Sequence, residues 1–237
     1  MRFEELDWSP TPIGELSLRR RVERTLDTEV FEVKLGEEYL MSSLFTVAEE
    51  ELARLGLART SGERLTVLVG GLGLGYTAVT ALDDDRVASL VVVDALAPVI
   101  DWHERELLPV SSRLVGDPRT HLVQGDFFAL AASGALPGQP YDAVLLDIDH
   151  TPRHVLDPSH ASFYTPSGLG RLSDQLVPGG IFALWSDDPP DEEFLTTARH
   201  VFEECEAHVV DFANPLTGGT SSNTVYVMRS RHRSTTG

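Results

Sequence analysis

Three glycines alternate with apolar residues in "VLVGGLGLGYTA", a segment that passes from an apolar run directly into a helix-like pattern. They are Gly71, Gly73 and Gly75, which gives the spacing G-x-G-x-G. Glycine lets a ligand approach the backbone, and in open α/β sheets the crevice at such turns binds nucleosides and nucleotides. A dinucleotide site prefers G-x-G-x-x-G, and Tyr76 stands three positions after Gly73, so NAD is disfavoured. The alternative is a tight strand-to-helix turn with no ligand.

Acidic residues follow the next two apolar runs and are candidates for holding a nucleoside. Asp94 ends "SLVVVD", nineteen positions after Gly75, where a carboxylate can accept hydrogen bonds from both ribose hydroxyls. Asp126 follows "THLVQG" and could accept from an adenine amino group while Phe127 packs on the ring. Each residue alone is ordinary, and Asp94 could simply be a helix N-cap. Their order, each at a predicted strand end, favours a nucleoside pocket.

Three further residues are candidates for work on an acceptor. Asp147 ends "YDAVLLD", and His150 follows three positions later; either could take a proton, since carboxylates and imidazoles are common general bases. Tyr164 precedes a predicted helix in "HASFYTPSGLGRL" and could contact substrate. The alternatives are that Asp147 only orients a loop, that His150 is a surface residue and that Tyr164 belongs to the core.

The composition restricts the classes of partner. The chain has 237 residues and a formal charge of −18, which disfavours nucleic acid and anionic membranes and would attract a cationic small molecule. An acidic surface also serves solubility alone. A single cysteine, Cys205, excludes an internal disulfide, and no Cys/His spacing resembles a metal site. With no apolar run long enough for a membrane helix and no secretory signal, we expect a cytoplasmic protein without a metal.

Short apolar runs separated by helix-length segments predict the fold class. We expect an α/β fold with a doubly wound, mostly parallel seven-stranded sheet, because "LTVLV", "SLVVVD", "THLVQ", "YDAVLLD" and "GIFALW" read as strands covered on both faces. The last two strands, "EAHVVDFA" and "SNTVYVMRS", are too close for a crossover helix and should pair antiparallel. The predicted division is a β-hairpin and helix extension over 1–60, with residues 1–12 irregular, an α/β domain over 61–229 and a frayed tail over 230–237.

These motifs resemble, in order, the nucleoside-binding signature of class I S-adenosyl-L-methionine (AdoMet)-dependent methyltransferases, and more narrowly the spermidine synthase-like branch of that superfamily. The resemblance rests on segments spread along most of the chain, from "VLVGGLGLG" and "VVVDALAPVIDWHE" through "GDFF" and "YDAVLLDIDHTP" to "FYTPSGLGRLSDQLVPGGIFALW" and "SNTVYV". It implies AdoMet or decarboxylated AdoMet as cosubstrate. It also implies a ligand site that contains Gly71, Gly73 and Gly75 at the amino-acid end, Asp94 with the adjacent Ala95 at the ribose, and Asp126 with Phe127 at the adenine.

The sequence departs from the resembled pattern where the amine is bound. Aminopropyltransferases carry an acid in the glycine loop, and Leu74 stands there; an unpaired buried ammonium would be costly. In "DIDHTP" Asp147 matches the first acid, His150 replaces the second, and Asp149 lies one position away. We therefore expect methyl transfer from AdoMet to a small-molecule acceptor, for which the acidic charge favours a cation, in a chain that could form a homodimer. The alternatives are an aminopropyltransferase, which would need another acid near the amine, and a noncatalytic nucleoside-binding protein.

Overall fold

The computed structural model describes residues 3–148 and 150–232, so Asp149 and the end of the predicted tail, 233–237, lie outside it. The N-terminal part is a four-stranded antiparallel sheet in the order β1-β2-β3-β4, followed by a helix. The elements are β1 (Phe3–Thr11), β2 (Gly14–Glu23), β3 (Thr28–Leu35), β4 (Glu38–Ser42) and α1 (Val47–Ala58).

The expected hairpin is thus part of a larger sheet, and the expectation of an irregular segment was wrong for residues 3–11. β1 pairs with β2 from Phe3 to Thr11. Pro10 does not prevent this, because an edge strand tolerates a residue without a backbone N–H donor.

The central sheet has seven strands in the order β10-β11-β9-β8-β5-β6-β7. The strands are β5 (Leu65–Gly70), β6 (Val87–Asp94), β7 (Thr120–Gln124), β8 (Tyr141–Leu146), β9 (Leu176–Ser186), β10 (Glu204–Asn214) and β11 (Gly219–Arg229). The first five are parallel, and β11 pairs antiparallel with both β9 and β10. The predicted mostly parallel seven-stranded sheet is confirmed, because its apolar runs are covered on both faces.

Helices cover both faces of this sheet. They are α2 (Tyr76–Leu82), α3 (Ala97–Glu104), α4 (Ser111–Gly116), α5 (Phe127–Ser133), α6 (Pro166–Ser173) and α7 (Glu192–Arg199), with a short 3₁₀ helix over Pro158–Ser162. One core cluster includes apolar residues of α1 to α4, and the other includes those of α5 to α7. In the described ranges, no helix is both long and apolar enough to cross a membrane.

The N-terminal part is attached at two points that matter for the site. The Trp102 indole N–H on α3 donates to Asp7 Oδ2 on β1 at 2.7 Å. On α1, Gly56 lies so close to the sheet that a Cβ there would be 2.6 Å from Leu145 Cδ2. The close approach holds α1 against β8, beside the point where strand order reverses between β5 and β8. Ligands of such sheets bind at this point.

Candidate active site

The glycine loop between β5 and α2 is tightly packed against other parts of the protein. Gly71 has φ +93°, and a Cβ there would lie 2.1 Å from the Asp147 carbonyl oxygen. Gly75 has φ +89°, and a Cβ there would lie 2.7 Å from His103 Cε1. Glycine is therefore required at both positions by the protein itself, whatever the ligand. Gly73, with φ +47°, lines a cavity and faces Met41.

A cavity of about 680 Å³ opens at this loop. Its walls are the N-terminal part between residues 39 and 49, the glycine loop over 72–76, the segment after β8, the end of β9 and the outer part of the β10/β11 hairpin. The volume falls within the range of small-molecule sites. The acidic side chains that line it are Glu49, Asp147 and Asp187, and in the part of the chain that the structure describes no lysine or arginine lines it.

Glu49 and Asp147 form an acidic pair in the lining of this cavity. The Thr77 hydroxyl on α2 donates to Asp147 Oδ2 at 2.9 Å and lies 3.2 Å from the Glu49 carbonyl oxygen. Burial raises the pKa of Glu49, and the charge of Asp147 raises it further. Burial also raises the pKa of Asp147, while the Thr77 hydrogen bond opposes that shift. Such a pair lacks a cation and would be stabilised by one.

Sequence reasoning missed Glu49. In the sequence, Glu49 is an acidic residue in the first turn of a predicted helix. Acidic residues are common there because they complement the helix dipole, so the position did not indicate a site. Only the packing of α1 across the sheet brings its carboxylate to Asp147.

Asp94 holds the glycine loop from the end of β6. Its Oδ2 accepts from the Leu72 amide at 2.9 Å and its Oδ1 from the Leu96 amide at 2.8 Å. Burial raises the pKa of this carboxyl, and the backbone hydrogen bonds oppose the shift. A carboxylate has about four acceptor positions, so capacity for ribose hydroxyls is left. The neighbouring Ala95 is exposed, and neither residue lines the cavity.

Asp126 and Phe127 take ordinary structural positions at the start of α5. Asp126 is the exposed N-cap, and its side chain accepts from the Ala129 amide at 3.1 Å. Phe127 is 1% exposed and makes edge-to-face contacts with Phe128 and Phe163. Its ring therefore belongs to the core, and its packing on an adenine stays a prediction that this burial does not support.

The three acceptor candidates are not all brought together. Asp147 and His150 both line the cavity, and the His150 carbonyl accepts from the Asp187 amide at 2.8 Å. Tyr164 is 8% exposed, contacts the rings of Phe128, Phe163 and Phe194, and lies outside the cavity lining. Its substrate contact stays a prediction that the geometry does not support.

Comparison with characterised proteins finds similarity in sequence to polyamine aminopropyltransferases. No family model matches the chain. It is 26% identical over 132 residues to polyamine aminopropyltransferases of Mycobacterium tuberculosis and Mycobacterium bovis, a match that covers 56% of this chain. The match spans only 24% of the length of those relatives.

Solved structures match over more of the chain. Spermidine synthase from Thermotoga maritima superposes with a TM-score of 0.70 at 17% identity, over 95% of this chain and 72% of that protein. A spermidine synthase in complex with the transition-state analogue AdoDATO gives 0.73 at 17% identity, over 95% and 73%. Human methyltransferase-like protein 13 in complex with SAH gives 0.57 at 18% identity, over 79% and 84%. The chain therefore has a spermidine synthase-like form of the class I AdoMet-dependent methyltransferase fold.

Proposed function

We propose that the chain is a transferase of the aminopropyltransferase type, which moves an aminopropyl group from decarboxylated AdoMet to an amine. The main support is a cavity at the glycine loop that is lined by Glu49, Asp147 and Asp187 and, within the described residues, by no lysine or arginine; His150 is the one described histidine in its lining. Decarboxylated AdoMet has an ammonium and a sulfonium but no carboxylate, so this charge distribution suits it better than AdoMet. The names of the sequence relatives and of the closely superposing synthases support the same reading.

The proposed placement of the cosubstrate follows the sheet edge. Asp94 accepts from the ribose hydroxyls beside Ala95, Asp126 lies toward the adenine, and the chain of Gly71, Gly73 and Gly75 runs beneath the sulfonium end. Leu74 leaves the glycine loop without the acid that the resembled family carries there. Glu49 supplies a carboxylate from α1 instead, which meets the requirement for another acid near the amine.

The proposed reaction is a displacement at the carbon next to sulfur. The acceptor nitrogen attacks that methylene carbon, a C–N bond forms, the C–S bond breaks, and its electron pair neutralises the sulfonium to a thioether. The amine must arrive unprotonated or give up a proton, and Asp147 is the proposed base, since its raised pKa suits proton transfer near neutrality. Binding both reactants in one cavity supplies most of the remaining acceleration.

Methyl transfer from AdoMet is the second candidate, favoured by Leu74 in the loop and by the likeness to methyltransferase-like protein 13. It uses the same cavity and base, with the methyl carbon as the electrophile. The proposed cellular setting is the cytoplasm, and a homodimer stays a prediction.

Calorimetric titration with decarboxylated AdoMet and with AdoMet separates the candidates. We expect decarboxylated AdoMet to bind at least about tenfold more tightly, since one differential charge contact is worth roughly 1.4 kcal/mol. Glu49→Gln should remove most of this preference, whereas Glu51→Gln, on the same helix but paired with Arg54, should leave it unchanged.

Mass spectrometry of reactions with a panel of diamines and monoamines then reports the group transferred. Tighter binding of AdoMet with methylated products would replace the proposal by the second candidate. Binding without product across the panel would indicate a noncatalytic nucleoside-binding protein.

A further inference from the structure

His103 is a fully buried histidine on α3, and the proposed chemistry does not use it. Its Nε2 lies 3.0 Å from the Gly73 carbonyl oxygen in the glycine loop, and its Nδ1 lies 3.1 Å from the Ser111 hydroxyl. Ser111 begins α4 and is also fully buried. The ring thus joins two helices to the loop through both of its nitrogens.

These contacts determine the tautomer. A carbonyl oxygen can only accept, so the proton is on Nε2, and Nδ1 accepts from the Ser111 hydroxyl. Both nitrogens are satisfied in the neutral ring. Burial lowers the pKa of His103 and thereby favours the neutral form. The hydrogen bond to Gly73 opposes this shift.

Asp94 and His103 hold the loop at consecutive residues and by opposite kinds of group. The Asp94 carboxylate accepts from the Leu72 amide, and the His103 imidazole donates to the Gly73 carbonyl. The imidazole also fills the space beneath Gly75, where a Cβ would lie 2.7 Å from Cε1. The glycines at alternate positions of this loop have positive φ values, a backbone conformation that the surrounding contacts must hold.

We propose that His103 is a positioning residue for the cosubstrate, acting through the Gly73 carbonyl to hold the glycine loop in its binding conformation. The proposal rests on the proposed function for its ligand, because Gly73 and Leu74 line the cavity that would receive the sulfonium end. A merely space-filling histidine would be replaced without loss by an apolar side chain of similar size. A positioning histidine needs a hydrogen-bond donor at Nε2.

The test compares His103→Met, which fills the space without a donor, with His103→Gln, whose amide can donate from nearly the position of Nε2. We expect His103→Met to weaken binding of decarboxylated AdoMet by about tenfold or more, the cost of one unsatisfied buried carbonyl, while the KM for the amine changes less than about threefold. His103→Gln should recover most of the affinity. The matched control is His121→Met, on the exposed face of the edge strand β7.

Hydrogen–deuterium exchange of the Leu74 and Gly75 amides in ligand-free protein is the second readout. Exchange should accelerate at these amides in His103→Met, with stable core amides unchanged, and return toward the wild-type rate in His103→Gln. Wild-type affinity and exchange in His103→Met, or equal losses in the Met and Gln variants, would overturn the proposal.

Failure of the positioning role of His103 and failure of the proposed function give different results. If His103→Met does not fold, Ser111→Ala removes only the partner of Nδ1, and faster exchange at Leu74 is still expected; an unchanged rate there would overturn the proposal. If the wild-type protein binds neither decarboxylated AdoMet nor AdoMet, the proposed function fails, while the exchange rates still decide whether His103 holds the loop.

Discussion

Burial raises the pKa of both Glu49 and Asp147 in the folded protein. The pKa of Glu49 is raised in the folded state from its ordinary value of 4.5, so the folded protein resists the loss of that proton. The stability associated with the protonated acid is fully present below pH 4.5 and is lost as pH rises through the higher folded value. The raised pKa of Glu49 therefore lowers the stability of the unliganded protein near neutral pH.

Glu49→Gln is expected to raise the free energy of unfolding by about 1 kcal/mol or more at pH 8, and by less at pH 5, because glutamine has no proton to lose. Urea unfolding at the two pH values measures the difference. Glu51→Gln should show no gain that grows with pH, since its partner Arg54 lies on the surface. A stability difference between Glu49→Gln and wild type that is the same at both pH values would contradict this account.

Gly71 is constrained by the backbone of a neighbouring strand and by its own positive φ. Gly71→Ala is expected to lower the free energy of unfolding by more than about 2 kcal/mol, since the left-handed region and a backbone clash both penalise a Cβ. Thermal and urea unfolding measure this loss.

The matched substitution is Gly170→Ala in α6, where a Cβ would meet nothing within 4 Å. It should be neutral or stabilise the fold by up to about 1 kcal/mol through helix propensity. Equal effects at the two glycines would show that the loop relaxes around a Cβ.

At the scale of elements, the β10/β11 hairpin is the part that closes the cavity. β11 pairs with β9 only over residues 224–229, so the outer part of the hairpin extends beyond the sheet. Phe212 on this outer part lies against Phe45, just before α1, with ring centroids 6.0 Å apart. Both rings line the cavity, so one aromatic contact joins its N-terminal wall to its C-terminal wall.

Phe212→Ala is expected to raise the KM for the amine acceptor by roughly threefold to tenfold, the value of one aromatic pair, because the hairpin loses its contact with the opposite wall. The affinity for decarboxylated AdoMet should change little, since the glycine loop forms a different wall. Steady-state kinetics and calorimetry separate the two effects. Val209→Ala, on the exposed side of the same strand, is the control. An equal loss of cosubstrate affinity would argue against separate walls.

At the scale of the whole molecule, the chain has a formal charge of −18, and no described lysine or arginine lines the cavity. Raising NaCl from about 50 to 500 mM is expected to weaken binding of decarboxylated AdoMet several-fold, because salt screens attraction over distances beyond a few ångströms. Titrations at several salt concentrations measure the slope. The neutral thioether methylthioadenosine is the control and should bind with little salt dependence. Equal slopes for both ligands would assign the effect to something other than charge.

Much of the architecture follows from local patterns. The apolar runs that became β5 to β9 are continuous because both faces of those strands are buried, and the short link before β11 excludes a crossover helix. The same patterns placed Asp94 and Asp147 at strand ends, where the structure has them. The expectation for residues 3–11 was wrong because pairing with β2, a contact between segments, outweighs a weak local signal for β1.

The sequence by itself determined the strands of the central sheet, their hydrophobic faces and the position of the glycine turn, because these depend on neighbours within a few residues. Only the tertiary structure decided which side chains share the cavity. It brought Glu49 to Asp147 through the packing of α1 on the sheet, and His103 to Gly73 through α3. It also showed that Phe127 and Tyr164 are buried in the core. Contacts between residues distant in sequence depend on how helices and strands pack against each other, and hydrophobic periodicity along the chain does not predict this packing.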